Sequence, residues 1–249
     1  MSKAMPETTV CTLPVIQGSP TDWSNLLSAL QVAENLTQKV SYGRKTVVSL
    51  DLQLYSKCVQ LQSRNDISKN FVFRMGELHV VFTVLKVLGK FIDGSGLDQS
   101  FEEAGIYGST TMQQIKDGKH LYRSLEAHFT LYITLYKSYI KKLIENQPEE
   151  ARKKLDEGFR NSSIFLSCSE EYKSCNIQGV HTSLLDLLDS IKFTDMQQSF
   201  DACLTHQAKF LRNYMQLFES LLLFICATRE QNWDLHLASF DDLSQFFFA

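Results

Sequence analysis

The sequence predicts a mainly α-helical protein with a small parallel β-α-β element near its N-terminus. Only 4 prolines and 11 glycines interrupt 249 residues, so long helices can form without breaks. Several stretches repeat apolar residues at the period of an α-helix, and 17 Phe and 9 Tyr supply large side chains for packing between helices. Two short β-branched runs on either side of a helical segment predict the β-α-β element.

The N-terminal residues predict a tail followed by a helix. Residues 1–20 contain three of the four prolines and no apolar period, which indicates an extended tail. Leu26 and Leu30 begin a helical stripe that continues to Val40, and Thr21 stands where an N-cap residue would. Gly43 then ends this first helix.

The β-α-β element comes next in the chain. Residues 45–51 form a β-branched run that ends in Asp51, residues 70–76 form a second run, and a helix is predicted over 52–61 between them. This order suits a right-handed parallel crossover, in which both strands end at the same edge of the sheet. The helix after Gly76 is expected to end at Gly89, because glycine is common at helix C-termini.

The rest of the chain is predicted to be helical. Helices are expected at 97–104, 109–117, 120–145, 148–158, 181–193, 194–230 and 233–248, with Gly118 as the left-handed residue that follows the second of them. The predicted organisation is therefore a tail at 1–20, a helix with the β-α-β element at 21–92, a helical region at 93–160, a serine-rich linker at 161–180 and C-terminal helices at 181–249.

The charge balance argues against a dedicated nucleic-acid-binding protein. With 25 Lys and Arg against 28 Asp and Glu, the net charge is -3, so contact with nucleic acid would need a local basic face. Lys141–Lys142 and Arg152–Lys154 resemble such a face. However, Glu145, Glu149 and Glu150 interleave them, which favours a solvated helix surface of mixed charge.

The sequence contains no segment that is typical of a membrane-spanning or secreted protein. The longest apolar run, Leu221–Ala227, is far shorter than the roughly 20 residues that cross a bilayer, and the polar start lacks the apolar core of a secretory signal. We therefore expect an intracellular protein, with nucleus and cytoplasm both open. Its six cysteines are expected to be free thiols, with Cys58, Cys203 and Cys226 in the helical core.

A candidate catalytic and metal site lies at the end of the predicted sheet. Asp51 closes the first strand and Glu77 and His79 follow the second, so parallel strands would bring all three to one edge. Such a set can hold Mg²⁺ or Mn²⁺ for phosphoryl transfer on nucleic acid. The alternative is structural: Asp51 caps the following helix, Glu77 interacts with the helix dipole, and His79 is an ordinary core or capping histidine.

A second polar group contains His120 and His128, which lie eight residues apart on one predicted helix with Ser124 between them. Zinc-binding pairs on helices usually have four-residue spacing and a third ligand nearby, and no such ligand is evident here. The sequence therefore favours a structural polar stripe at these positions.

The C-terminal residues predict an interaction surface. An amphipathic helix over 233–248 would present Trp233, Phe246, Phe247 and Phe248 to a protein partner or to a second copy. The alternative is that these rings pack back on the core. Because the chain stops at Phe-Phe-Phe-Ala without a helix cap or polar tail, the sequence also suggests a piece of a longer protein.

Several short motifs resemble a known family. They are, in order, Val47–Tyr55 (VVSLDLQLY), Phe73–His79 (FRMGELH), Gly94–Leu97 (GSGL), Tyr107–Gly108, Gly118–Lys119, Arg123 with His128, and Trp233–Leu237 (WDLHL). Over about residues 45–249 the chain looks like a multi-copy, transposon-associated family of largely uncharacterised animal proteins. The resemblance implies a transposase-like or domesticated protein whose RNase H-like core is interrupted by a helical insertion. It also implies that Asp51 is the strand-end acid and that Gly76–His79 is the following G-x-[LF]-H segment.

Two differences from this family concern catalysis. The family sequence continues past the Phe-Phe-Phe-Ala stretch into a further acidic motif, and the short region before Asp51 leaves little room for the earlier strands of an RNase H-like core. The resemblance therefore implies a transposon-derived protein that performs no catalysis alone. The aromatic-rich helices favour the alternative hypothesis, which is a helical protein–protein interaction module.

Overall fold

The described residues form ten helices and one two-stranded parallel sheet, which confirms the predicted fold class. A computed structural model describes residues 15–67, 69–160 and 192–246, together with residues 10, 12, 13, 186, 188 and 189. The predicted linker at 161–180 lies outside the described residues. The chain divides into two compact units, Met1–Val80 and Val81–Ala249, and the boundary falls inside one helix. Among the described helices, none has the length and apolar character needed to cross a membrane.

The helices and strands are numbered separately in chain order. The helices are α1 (Trp23–Val40), α2 (Leu52–Ser63), α3 (Glu77–Ile92), α4 (Leu97–Glu103), α5 (Ser109–Lys116), α6 (Leu121–Glu145), α7 (Glu149–Arg160), α8 (Phe193–Ala202), α9 (His206–Glu230) and α10 (Trp233–Ser244). The strands are β1 (Thr46–Leu50) and β2 (Phe71–Met75).

The first unit contains the predicted β-α-β element. β1 and β2 pair in parallel from Thr46 opposite Phe71 to Leu50 opposite Met75, and α2 connects them. Both strands therefore end at the same edge of the sheet, as the sequence predicted. The N-cap of α1 differs from the prediction, because it is Asp22 and not Thr21. The Thr21 hydroxyl lies 2.8 Å from the Ser19 hydroxyl.

One face of this sheet packs on helices and the other faces outward. The core of the first unit contains Leu26 and Leu30 of α1, Cys58 and Leu61 of α2, and Phe71 of β2. On the opposite face, the paired side chains of Val47 and Val72 are 62% and 41% exposed. Alternate strand positions point to opposite faces, so the sheet has one covered and one open face.

In the second unit, a close approach of α3 and α5 depends on a glycine. α3 continues through Gly89 to Ile92, so the prediction that the helix ends at this glycine is wrong. A Cβ atom at Gly89 would lie 2.0 Å from the Lys116 carbonyl oxygen. Tertiary packing rather than helix termination therefore explains the glycine at this position.

The end of α5 has the predicted glycine geometry. Gly118 has φ of +69°, and its N–H donates to the Ile115 carbonyl at 3.0 Å. The Lys119 N–H donates to the Gln114 carbonyl at 2.9 Å. These two bonds form a Schellman motif, which satisfies carbonyl groups that the helix end would leave without partners.

α9 supplies seven buried side chains to the second unit: Tyr214, Met215, Leu217, Phe218, Leu221, Phe224 and Ala227. It packs against α6 and α10, and the Tyr214 ring also lies 6.3 Å from the Phe91 ring of α3. α10 folds back on α9 after a short turn, and Gln231 takes the left-handed conformation in that turn, with φ of +55°.

The helix predicted over 194–230 consists of two helices, so that prediction is wrong. α8 ends at Ala202 and α9 begins at His206. Thr205 is the N-cap of α9, and its hydroxyl accepts a hydrogen bond from the Ala208 N–H at 3.3 Å. The extended backbone of Thr205 interrupts the helix, although the apolar residues before it continue the helical period.

The three cysteines expected in the core have different environments. Cys58 is fully buried among the side chains of the first unit, which confirms its predicted position. Cys203 and Cys226 are exposed, so the prediction is wrong for both. Cys203 is the C-cap residue of α8, and Cys226 lies on the outward side of α9, between the buried positions 224 and 227.

Candidate functional site

The end of the sheet holds Asp51 in a capping role. Asp51 directly follows β1 and is the N-cap of α2, where its Oδ1 accepts a hydrogen bond from the Leu54 N–H at 2.7 Å. This bond satisfies one of the donors that a helix start leaves free, and such caps contribute about 1 kcal/mol. Asp51 therefore caps α2, as the structural alternative to a metal site predicted.

Glu77 and His79 follow β2 at the same end of the sheet. The Gly76 N–H donates to the Leu50 carbonyl at 2.8 Å, which continues the pairing past β2. Glu77 is the first residue of α3 and forms an ion pair with Arg74 of β2. His79 lies in the first turn of α3 and is exposed. Glu77 thus has the position that the helix dipole favours.

These side chains do not assemble into a metal site. Among the described residues, no three His, Cys, Asp or Glu side chains are close enough together to hold a metal ion. Asp51, Glu77 and His79 share the edge of the sheet without forming a ligand set for Mg²⁺ or Mn²⁺. The described residues at this edge therefore do not fit such an ion.

The exposed surface of α10 is the second candidate site. Trp233 and Leu237 lie one helical turn apart, with 56% and 49% of their surface exposed. The Trp233 ring stacks on His236 of the same helix, with ring centroids 5.4 Å apart and planes 11° from parallel. A large aromatic side chain held in one orientation and open to solvent is a typical anchor of a protein interface.

The opposite side of α10 is firmly anchored. Leu243 is fully buried, and the Ser239 hydroxyl donates to the Leu235 carbonyl at 2.7 Å. The Phe224 ring of α9 lies 4.6 Å from the His236 ring and 6.2 Å from the Phe240 ring. Trp233 and Leu237 therefore project from a fixed helix rather than from a loop.

The predicted aromatic surface at the C-terminus is only partly described. Phe246 is half-buried, and its N–H donates to the Leu243 carbonyl at 3.1 Å. Phe247 and Phe248 lie outside the described residues. Within the described part, the exposed surface consists of Trp233 together with Leu237, which the sequence interpretation did not include.

Comparison with known proteins gives a family and no activity. A family model described as "Domain of unknown function (DUF8702)" matches residues 1–249. The chain belongs to the DUF8702 family. No curated protein and no solved structure matches the chain. The chemistry of this DUF8702 chain must therefore be argued from its own residues.

A polar network that the sequence interpretation missed joins three helices of the DUF8702 chain. Arg212 of α9 donates through Nε to Asp201 Oδ2 of α8 at 3.2 Å, and its Nη1 lies 3.6 Å from Glu219 Oε1. The guanidinium also lies 5.0 Å from the centre of the Tyr139 ring. Tyr139 and Tyr132 of α6 donate to Asp201 and Glu219 at 2.8 and 3.0 Å.

The tyrosines of this network are hydrogen-bond donors and not nucleophiles. Burial, reinforced by the hydrogen bond to Asp201, raises the pKa of Tyr139 to about 12. Burial and the nearby Glu219 carboxylate raise the pKa of Tyr132 further. Both phenols therefore stay protonated near neutral pH, and the network connects α6, α8 and α9 structurally.

His128 lies in the core between α6 and α9. It is 1% exposed, and its Nδ1 lies 2.9 Å from the Tyr214 hydroxyl. Burial lowers the pKa of His128 to about 4. Ser124 is also buried and donates to the Lys119 carbonyl, whereas His120 is exposed. Ser124 and His128 therefore have structural roles on the buried face of α6, as the sequence favoured, whereas His120 is the exposed N-cap residue of this helix.

Proposed function

We propose that this DUF8702 chain is a helical protein–protein interaction module that docks a partner on the exposed surface of α10. The supporting observation is the pair Trp233 and Leu237, which are 56% and 49% exposed on a helix whose other side is buried. Removing such apolar side chains from water contributes about 1.5–3 kcal/mol each, which is enough to anchor an interface.

The proposal includes no catalysis by this chain alone. Asp51 is engaged in capping α2, and Glu77 is paired with Arg74. A nuclease assay on the purified chain with Mg²⁺ and with Mn²⁺ tests this part, and no cleavage of DNA or RNA is expected. Metal-dependent cleavage that disappears in Asp51→Asn would contradict it.

Site-specific photo-crosslinking tests the docking surface. A photoreactive amino acid at position 237 is expected to give discrete protein adducts in cells. The adducts should decrease in a Trp233→Ala background, because the neighbouring anchor is lost. The matched control places the same group at Tyr122, which is 80% exposed and lies in the first turn of α6. Equal adducts at both positions, or none at 237, would contradict the proposal.

We also propose that the chain is transposon-derived, as a second and separate statement about its origin. The support is the ordered series of short motifs from Val47–Tyr55 to Trp233–Leu237. An inspection of the encoding locus and its related copies tests this, and flanking terminal inverted repeats around at least some copies are expected. A single-copy locus with no repeats and no related copies would contradict this origin.

A further inference from the structure

We propose that the partner of the α10 surface is a second copy of this chain, which presents the side of its α6 that carries Lys137 and Lys141. This inference rests on the proposed docking function of α10 and names the occupant. Both helices belong to the unit Val81–Ala249, so one compact unit meets a copy of itself. The charges beside the two apolar helix surfaces are complementary.

The apolar surface of α10 has an acidic border. Asp234 and Asp241 each directly follow an apolar stripe position, after Trp233 and Phe240, and both carboxylates are exposed. Neither forms an ion pair with another described residue. Residues 231–249 contain no Lys or Arg, so nothing on this part of the chain neutralises the border. The surface therefore favours an apolar partner with a basic border.

α6 has the complementary pattern. Tyr136, Ile140 and Ile144 form a half-buried apolar stripe along it, and Lys137 and Lys141 are exposed beside that stripe. Together with Glu145, these side chains line a shallow surface depression with a volume of about 540 Å³. An apolar helix face of this width can receive the Trp233 and Leu237 side chains of another molecule.

The spacing of the charges also fixes the direction in which the helices pack. In both helices, each charged residue comes one position after an apolar one, so the charged border lies on the same rotational side of both stripes. Two such helices bring their borders together only when they run antiparallel. That arrangement brings the Asp234 end of α10 toward Lys141 of the second copy and the Asp241 end toward Lys137. The two aspartates are seven positions apart and the two lysines four, which is about 10.5 and 6 Å along their helices, so the long lysine side chains span the difference.

The two kinds of contact have different roles. The apolar stripes supply affinity, because their surface is removed from water. The carboxylate–ammonium pairs lie at the border and select the partner and its direction. Within one chain the Lys141 Nζ lies 4.0 Å from Glu145 Oε1, which is a loose ion pair, and the Lys141 side chain is 75% exposed. The side chain can therefore turn toward a second copy.

Charge reversal tests the pairing directly. Light scattering of the full chain at low ionic strength is expected to show a concentration-dependent dimer. Asp234→Lys with Asp241→Lys in one variant, and Lys137→Glu with Lys141→Glu in a second, should each weaken association by about tenfold or more, since like charges then meet. An equimolar mixture of the two variants is expected to associate again, because the reversed charges are complementary.

A matched control reverses charges elsewhere on the same unit. Glu102 and Glu103 are exposed on α4, and Glu102→Lys with Glu103→Lys should leave association unchanged. Circular dichroism establishes that each variant keeps its helical content. Should a reversed variant fail to fold, the crosslinker at position 237 of the otherwise unchanged chain gives the second measurement, with adducts expected on the tryptic peptides of α6.

Three results would overturn the inference. They are a wild-type chain that stays monomeric at every concentration, folded reversal variants that do not reassociate on mixing, and adducts from position 237 that map outside α6. A monomeric chain whose position 237 crosslinks to another protein would contradict the second copy as partner and leave the docking function standing. A monomeric chain without any adduct would contradict both.

Discussion

Burial of the His128 imidazole ties the stability of the second unit to pH. His128 is 1% exposed, and among the described residues its hydrogen-bond partner is the neutral Tyr214 hydroxyl. Protonation would place a charge in the core without compensation. The folded state therefore keeps this imidazole neutral over a range in which an unfolded chain would protonate it.

We expect the free energy of unfolding to decrease as the pH falls from 6.5 to 4. The ordinary pKa of His is 6.5 and burial lowers that of His128 to about 4, so the unfolded state binds more protons in this window. The part of the free energy of unfolding that His128 contributes and that is lost in this window amounts to about 3 kcal/mol, because one pKa unit corresponds to about 1.4 kcal/mol. Urea denaturation of the wild type and of His128→Gln across this range measures it. An equal pH dependence in both proteins would contradict the assignment.

Gly89 is the residue at which a single methyl group should have the largest effect. Gly89→Ala places a Cβ 2.0 Å from the Lys116 carbonyl oxygen, so α3 and α5 must separate. We expect a destabilisation of about 3 kcal/mol, the upper range for overpacking of a core. Thermal unfolding measures this, with Gly108→Ala as the control, because a Cβ there meets nothing within 4 Å. Equal melting temperatures of the two variants would show that the helices do not pack this closely.

At the scale of helices and strands, the β-α-β element and most helices could be predicted from local sequence. The β-branched run before Asp51 predicts a strand, and Asp51 itself predicts the N-cap of the next helix. Both are found, so local sequence and fold agree at this point. Gly89 shows the opposite case, because packing against α5 overrides its tendency to end a helix. Thr205 is a second case, because it begins a new helix where the apolar period alone predicts one continuous helix.

The polar network and the metal prediction show why the candidate site was harder to predict. Tyr139 and Asp201 are 62 positions apart, and Tyr132 and Glu219 are 87 positions apart. No local pattern records such pairs. Conversely, the sequence placed Asp51 at the correct edge and offered both a metal site and a helix cap there, and local pattern alone could not decide between them.

The start of α2 gives a test of the role of Asp51. Asp51→Ala should destabilise the first unit by about 1 kcal/mol, because the Leu54 N–H loses its acceptor. Asp51→Asn should retain most of the stability, since an amide oxygen also caps a helix. Chemical denaturation of the three proteins separates these outcomes. If Asn were as harmful as Ala, the side chain would act through its charge and not as a cap.

The Arg212 network gives a second prediction at this scale. Arg212→Met removes the cation between Asp201 and Glu219 and leaves two carboxylates of like charge near each other. We expect a loss of about 2 kcal/mol, below the range for fully buried pairs because both carboxylates are partly exposed. We expect faster amide exchange in α8. Arg212→Lys should restore little, because an ammonium cannot contact both acids and the Tyr139 ring in the same way. Unchanged exchange in α8 would show that apolar contacts alone hold that helix.

At the scale of the whole molecule, a net charge of -3 conceals an uneven distribution. Acidic residues border the apolar stripe of α10, whereas lysines border that of α6. Copies of the chain therefore attract each other through particular surfaces although they repel each other overall. The same separation makes any association sensitive to salt, because exposed charges are screened at physiological ionic strength.

The sheet of the first unit also affects how copies meet. The Thr46 N–H donates to Asn70 and the Leu50 carbonyl accepts from Gly76, so by the alternation of a parallel ladder the N–H and C=O of Val47 and Ser49 point away from β2. An edge of this kind can pair with another strand during refolding at high concentration. Arg44 and Lys45 stand exposed at its start and oppose such stacking by their charge. We therefore expect replacement of both by neutral residues to increase aggregation during refolding at high concentration.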